Sequence, residues 1–410
     1  MISEQTLLQR VLILADESAD WQVAGLPQLH RILLCLNEYT ELADQRAPIS
    51  VSIQWKDEPP NGAAISDDPR LATLEVTHSS AEAVRNEEAF DLVLSTRVFL
   101  YRHSVASLFE SGMAPDLRGA ASWEEKLDRV RGALQSAPDP QIARLWQYLA
   151  DPLEIAACER AFLRHAGKSQ DGLVSRHLNR PISRFITHSL LKTNLRPTTW
   201  SLSIFVLPLA ASFALLQGTA MSIIIGCALF QLYSILDGCD GEIARAKFLQ
   251  TDSGRRLDSM CDLIGNVLLA VCLGIGLARY TPSVGYLDSF YIAEGFAAGV
   301  CVLLSEGIVF LRRSRTTKKP VITALNGALY QRHHEFFHRS GILMLGETVA
   351  WWLVVMTKRD MAILAFLVLA IAGWPELILH LLLAVGAISS ALAGNAFFRA
   401  PAAALPQEAS

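Results

Sequence analysis

The stretch that decides the fold reads DGCDGEIARAKFLQTDSGRRLDSMCD, from Asp237 to Asp262. Apolar runs flank it on both sides, which puts its carboxylates at or near the ends of membrane helices, where charges are costly and usually functional. On a helix, Asp237 and Asp240 (i, i+3) share a face with Ala244 one turn further on, and Asp258 and Asp262 (i, i+4) share a face of the next helix. Two facing helices can therefore converge four carboxylates on one spot. Like charges that close repel unless a cation neutralises them, and an oxygen-only ligand set suits Mg2+ or Mn2+. Two such ions, about 4 Å apart, would clamp the bridging oxygens of a phosphate during displacement.

Working outward, six apolar segments read as membrane spans: about 198–217, 219–238, 259–279, 290–311, 360–374 and 376–397. An apolar content of 51% and a mean hydropathy of +0.29 agree with a membrane protein. Both numbers average two unlike parts, since residues 1 to about 170 have ordinary globular composition. Placing the Arg245–Arg256 and Arg312–Lys319 loops in the cytoplasm obeys the positive-inside rule and leaves Thr281–Asp288, without Lys or Arg, outside. With an even count of spans, both termini and the aspartates face the cytoplasm, and the expected location is the cytoplasmic (inner) membrane. Met1–Arg10 is largely polar and the following VLILA is too short for a signal-peptide core. Of the seven cysteines, Cys227, Cys239, Cys261, Cys272 and Cys301 lie in or beside spans without paired spacing; they read as reduced apolar residues, not a disulfide frame or zinc site.

The N-terminal part alternates strand and helix patterns. RVLILAD (Arg10–Asp16) is a buried-strand run, LPQLHRILLCLNEY is helical, and Val51–Trp55, Leu71–Thr77 and Phe90–Ser95 are further strands, which favours a Rossmann-like α/β domain over residues 1–168. An amphipathic helix follows within 169–196. Leu178, Ile182, Phe185, Ile186 and Leu190 fall on one face, while Arg176, Arg180, Arg184 and Lys192 lie elsewhere around it, placed for anionic lipid headgroups. Residues 197–400 carry the all-α six-helix bundle, and 401–410 read as a disordered tail.

The pattern D-x2-D-G-x2-A-R-x8-G-x3-D-x3-D, filled at all eight specified positions, resembles the signature of the CDP-alcohol phosphotransferase (CDP-alcohol phosphatidyltransferase) family. A solvated acidic loop has no reason to place Gly241, Ala244 and Gly254 where close packing against a nucleotide needs them. The resemblance implies transfer of a phospho-alcohol from a CDP-linked donor to an acceptor hydroxyl, with CMP leaving. It implies two Mg2+ or Mn2+ ions held by Asp237, Asp240, Asp258 and Asp262, with Asp262 also the general base. Gly241, Ala244, Arg245 and Gly254 would receive the cytidine nucleotide. The family's commonly homodimeric, six-span organisation carries over as an expectation. Its frequent Pro-Asn near the first span is replaced here by Pro197-Thr198.

The order of parts, and DGLVSRHLNRPIS before the first span, are similar to the bifunctional inositol-1-phosphate cytidylyltransferase and di-myo-inositol phosphate phosphate synthase proteins. In such nucleotidyltransferase-like domains a Gly-rich basic loop follows the first strand, and its backbone N–H groups reach the phosphates. This chain has ADESADWQ there, with three acids and no Gly, Lys or Arg, so a degenerate domain that does not use CTP is expected.

Three further groups stand out. Arg255, Lys358 and Arg359 are candidate acceptor contacts, although Lys358-Arg359-Asp360 equally suits snorkelling charges at a span end. Arg332–Arg339 contains His333, His334 and His338, which read as a polar juxtamembrane helix without a third zinc ligand. Glu294 and Glu306 lie within the fourth span. The expected partners are a CDP-linked donor, a polyol, polyol phosphate or lipid acceptor, and membrane lipids, with no nucleic acid. The competing classes are a bifunctional enzyme that makes its own donor from CTP, and a non-catalytic membrane scaffold or transporter.

Overall fold

In the computed structural model, which describes residues 7–43, 45, 47–57, 68–80, 89–120, 122–136, 145–165, 172–281, 286–315 and 358–398, the chain divides into two units, Met1–His165 and Ala166–Ser410. The first runs β1 (Arg10–Ala15), β2 (Gln22–Val23), β3 (Leu26–Pro27), α1 (Gln28–Leu42), β4 (Ile49–Trp55), β5 (Leu74–Ser80), β6 (Leu92–Ser95), β7 (Val98–Leu100), α2 (Ser104–Glu110), α3 (Trp123–Gln135), β8 (Trp146–Tyr148) and α4 (Ile155–His165). Four of the strands form a parallel sheet in the order β5-β4-β1-β6. The VLILA run of β1 is buried throughout, as a central parallel strand covered on both faces requires. β5 alternates half-buried and exposed positions at the sheet edge.

Two local departures from the sequence reading have simple causes. β5 begins at Leu74 and not Leu71, because Pro69–Leu71 closes into a 3-10 turn whose Arg70 N–H donates to the Asp68 carboxylate (2.9 Å). Leu26 and Pro27, read as the start of the first helix, instead form β3, and Ala24 and Gly25 make the two-residue turn between β2 and β3. Both adopt the positive φ (50° and 79°) that such a hairpin demands, and α1 starts only at Gln28.

The second unit begins with a π-type turn at Ser175–Asn179 that leads into α5 (Arg180–Leu190). It continues with α6 (Pro197–Ile204), α7 (Val206–Leu216), α8 (Ala220–Ala246), α9 (Asp252–Tyr280), α10 (Tyr286–Arg315), α11 (Arg359–Ile371) and α12 (Pro375–Phe398). α6 and α7 form one apolar span broken at Phe205, because Pro208 has no N–H to offer the carbonyl of Ile204. A reciprocal capping box between Thr219 and Ser222 starts α8. The Thr251 hydroxyl starts α9 by accepting the Gly254 N–H (3.0 Å).

Among the described residues, five helical segments are long and apolar enough to cross a membrane: Pro197–Leu216, Ala220–Ala246, Asp252–Tyr280, Ser289–Gly307 and Pro375–Leu392. The expected fifth of six spans coincides with α11, whose 13 residues cover about 20 Å, against a hydrocarbon core of about 30 Å. Large apolar side chains such as Val206, Phe213, Met221, Val368 and Ile388 remain exposed on the bundle, as a lipid-facing surface requires. Inside, Leu215, Phe230, Leu273, Tyr291, Phe366 and Leu379 belong to one core. α9 and α10 approach at Gly274 and Gly295, where a Cβ on Gly274 would come within 2.8 Å of the Gly295 Cα. His333, His334, His338, the 316–319 part of the basic loop and the 401–410 tail lie outside the described residues.

Candidate active site

α8 and α9 follow each other across the short link 247–251, so the last turns of α8 and the first turns of α9 meet. This brings one carboxylate oxygen each of Asp237, Asp240 and Asp258 to within 4.8 Å of one another. Three of the four expected ligands thus converge. Asp240 is the most enclosed, at 9% exposure, and its Oδ2 accepts the Ser201 hydroxyl from α6 (2.6 Å). Trp200, the neighbouring residue, donates its indole N–H to the carbonyl of Leu236 (3.0 Å), so α6 is fastened to α8 at two points beside the cluster. An all-oxygen donor set of this size fits a divalent cation such as Mg2+ or Mn2+.

Asp262 lies outside that cluster. Its Oδ1 accepts the Tyr233 hydroxyl (3.1 Å), and its Oδ2 pairs with the Arg359 guanidinium at the start of α11. Arg359 also lies over the Tyr233 ring, 5.4 Å from its centroid. Arg359 Nε and Nη2 are buried without a hydrogen-bond partner among the described residues. The next residue, Asp360, accepts the backbone N–H of Ser175 (2.6 Å), and Gly172 is tight against it: a Cβ there would fall 2.2 Å from the carboxylate. Neighbouring side chains of α11 therefore hold Asp262 on one side and the turn before α5 on the other.

The remaining expected residues are distributed as follows. Arg245 folds back over Gly241, where a Cβ would approach its Nη1 to 3.1 Å. Gly254 faces Thr198, at 3.6 Å from a built Cβ, so the residue that stands where the family often has Asn lines the same wall. Ala244 is half-buried. Arg255 is exposed and pairs with Asp252 on its own helix, and Lys358 occupies the N-cap position of α11. Helical spacing, one turn before Asp237, could have singled out Tyr233. Nothing in the sequence pairs Ser201 with Asp240 or Asp360 with Ser175.

One expectation is overturned. Arg180, assigned to lipid headgroups, is buried and pairs with Glu242 of α8 (3.0 Å). The same carboxylate accepts the hydroxyls of Ser183 (3.0 Å) and Thr187 (2.7 Å), while Asn179 bonds Ser234 and Gln231. The polar stripe of α5 faces the bundle and its apolar stripe faces out, with Phe185 78% exposed. Arg176 remains exposed.

In the N-terminal unit, the crevice at the C-terminal ends of β1 and β6 is the usual ligand position, because the strand order reverses there: the chain runs from β1 to β4 and β5 on one side and returns to β6 on the other. Here the chain's own side chains fill it. Asp16 accepts the N–H (2.9 Å) and hydroxyl (2.5 Å) of Ser18 and the Nε–H of Arg97 (2.7 Å), and the Ser18 and Thr96 hydroxyls bond each other (2.7 Å). Burial pushes the Asp16 carboxyl up, but the hydrogen bonds from Ser18 and Arg97 outweigh it and hold it below the usual carboxylate range. The three-acid loop therefore spends its first acid on an internal clamp.

Residues 197–328 match the CDP-alcohol phosphatidyltransferase family. The chain is also similar to proteins named "Bifunctional IPC transferase and DIPP synthase". The Rubrobacter xylanophilus protein is 38% identical over 142 residues, 34% of this chain and 32% of that protein. Those of Thermococcus kodakarensis and Archaeoglobus fulgidus are 37% and 33% identical, over 28% and 32% of this chain and 26% of each relative. The aligned segment thus spans a third or less of the relatives' own length.

Two variants test these networks. Arg180→Leu strands the Glu242 carboxylate and is expected to cost about 3–5 kcal/mol in detergent unfolding, most of it recovered in the Arg180→Leu/Glu242→Leu double variant. Asp16→Asn should destabilise the protein at pH 7 by about 1.5–3 kcal/mol. Because the folded Asp16 carboxyl lies below its unfolded value, the wild type keeps this advantage above about pH 4 and loses it as pH falls further. Denaturant titrations at pH 7 and pH 3 measure the difference.

Proposed function

We propose that this chain is an integral-membrane CDP-alcohol phosphotransferase. It would move a phospho-alcohol, of phosphatidyl or phospho-inositol type, from a CDP-linked donor to an acceptor hydroxyl and release CMP. The observation that carries this reading is the convergence of Asp237, Asp240 and Asp258 within 4.8 Å where two apolar helices meet. The eight-position motif and the match over residues 197–328 support it. The surroundings disfavour a scaffold, since a structural cluster of three like charges would only weaken the bundle.

In this reading Asp237, Asp240 and Asp258 hold two divalent cations, Mg2+ or Mn2+, with Asp262 adjoining them. When bound, such ions neutralise the diphosphate charge. Gly241, Ala244, Arg245 and Gly254 form the wall for the cytidine nucleotide, with Thr198 opposite Gly254. Asp262 takes the proton of the acceptor hydroxyl, since each of its oxygens keeps a lone pair beyond those used by Tyr233 and Arg359. The acceptor oxygen forms the new bond to the alcohol-linked phosphorus, the bond from that phosphorus to the bridging oxygen breaks, and CMP departs with the electron pair. Arg359, whose Nε and Nη2 have no hydrogen-bond partner among the described residues, and Lys358 receive an anionic acceptor, with Arg255 at the entrance.

α11 completes a sixth crossing, the basic loops keep both termini and the site on the cytoplasmic side, and two copies associate within the membrane as a homodimer. The outward apolar stripe of α5 rests on lipid. The N-terminal unit is a degenerate nucleotidyltransferase-like domain, because the Asp16–Arg97 clamp occupies its crevice. The relatives' name, which includes the word bifunctional, favours a second reading in which this unit makes the CDP-alcohol from CTP.

One assay separates these readings. Purified protein with Mg2+ is offered CDP-diacylglycerol or CDP-inositol with a panel of polyols, polyol phosphates and lipids, and CMP is measured. CMP release that EDTA abolishes and Mg2+ restores is expected, with Asp258→Ala lower by on the order of 10³-fold. No release from any pair, or full activity of Asp258→Ala, would sink the phosphotransferase reading. Incubation with CTP and a polyol phosphate should release no pyrophosphate; release would establish the bifunctional reading.

A further inference from the structure

Asn266 follows Asp262 by one turn of α9, about 6 Å further into the bundle, and its Nδ2 donates to Oε1 of Glu306 on α10 (2.9 Å). A carboxylate inside the apolar segment Ser289–Gly307 is costly and calls for a role. Holding α9 to α10 is not that role. The two helices already touch at Gly274 and Gly295, and Val271 lies 3.2 Å from a Cβ built on Gly299.

The pair instead belongs to the surroundings of Asp262. Asn266 stands on the same face of α9 as Asp262, and its hydrogen bond brings the Glu306 carboxylate to that face. Their mutual bond uses one atom of each, which leaves Asn266 Oδ1 and Glu306 Oε2 without a hydrogen-bond partner among the described residues. Two oxygen acceptors on adjacent helices, next to the carboxylate assigned as base, suit two neighbouring hydroxyl donors. A simple alcohol offers only one hydroxyl, and that one is consumed at Asp262.

Resting on the phosphotransferase reading above, we propose that Asn266 and Glu306 determine acceptor specificity: they receive the vicinal hydroxyls of a polyol whose reacting hydroxyl lies at Asp262. Either a free polyol phosphate or a polyol headgroup on a lipid would present this chemistry.

The test reads binding and not turnover, so its failure is distinct from a failure to release CMP. Full-length protein in nanodiscs with Mn2+ is titrated calorimetrically with myo-inositol 1-phosphate and with cyclohexyl phosphate, which keeps the ring and the anion but has no hydroxyls. A parallel arm measures phosphatidylinositol against phosphatidic acid incorporated in the discs. The wild type is expected to prefer the hydroxylated member of a pair by about tenfold to a hundredfold, the worth of hydrogen bonds to a charged group. Glu306→Gln and Asn266→Leu should each lose most of that preference while the affinity for the partner without hydroxyls, and Mn2+ binding followed by electron paramagnetic resonance, stay unchanged. Preference in the soluble arm assigns a free acceptor, and preference in the lipid arm alone assigns a headgroup. A wild type with no preference in either arm, or with a preference that survives in both variants, overturns the assignment.

Discussion

Mutual repulsion of carboxylates is the constraint on which the membrane unit is built. With oxygens no more than 4.8 Å apart, each pair among Asp237, Asp240 and Asp258 repels by about 3.5 kcal/mol at an effective dielectric constant of about 20. Three such pairs cost about 10 kcal/mol, comparable with the whole stability of a typical domain. A bundle that keeps them together must therefore hold α8 and α9 from outside and have a cation to receive. The outside hold is visible. Ser201 and Trp200 fasten α6 to α8, Thr251 fixes the start of α9, and glycines on α9 and α10 allow close packing further in.

Two arginines illustrate how differently a charge can be used in the same unit. Arg180 is buried against Glu242, and that carboxylate is further saturated by two hydroxyls. Such a pair gives registry between α5 and α8 and little net stability, since desolvation offsets most of the attraction. Arg359 is also paired, with Asp262, yet two of its nitrogens find no acceptor among the described residues. A buried donor without an acceptor costs about 1–3 kcal/mol, and such a cost persists most readily where a ligand removes it.

The sequence made the aspartate site legible because its information is local. Offsets of three and four residues fix which side chains share a face, and the helices on which they sit formed as those offsets require. The strands of the first unit were legible for the same reason, through unbroken apolar runs such as VLILA. Orientation was not legible. The α5 stretch is amphipathic by any arithmetic, but the arithmetic cannot say which stripe faces inward, and inside a membrane protein the polar one does. Arg180 was misplaced for that reason, and its partner Glu242 sits inside the motif while pointing to the opposite side of α8. Asp262 shows the complementary gap: its helix and face could be read, whereas its capture by Tyr233 and Arg359 depends on how α8 and α11 meet.

The N-terminal unit adds the converse case, in which chemistry that is missing from a loop is explained by a contact that is present. ADESADWQ lacks the glycines and cations that would cradle phosphates, and this alone leaves open a cradle built from elsewhere. The crevice at β1 and β6 narrows that choice. Asp16 is already saturated by Ser18 and Arg97, and Thr96 is tied to Ser18. A phosphate entering there would have to break the Asp16–Arg97 ion pair and lie beside the carboxylate so exposed. On the proposal made here, the donor is therefore made by a separate cytidylyl-transferring reaction, and selection between substrates rests with the membrane unit, at the oxygens of Asn266 and Glu306 beside Asp262.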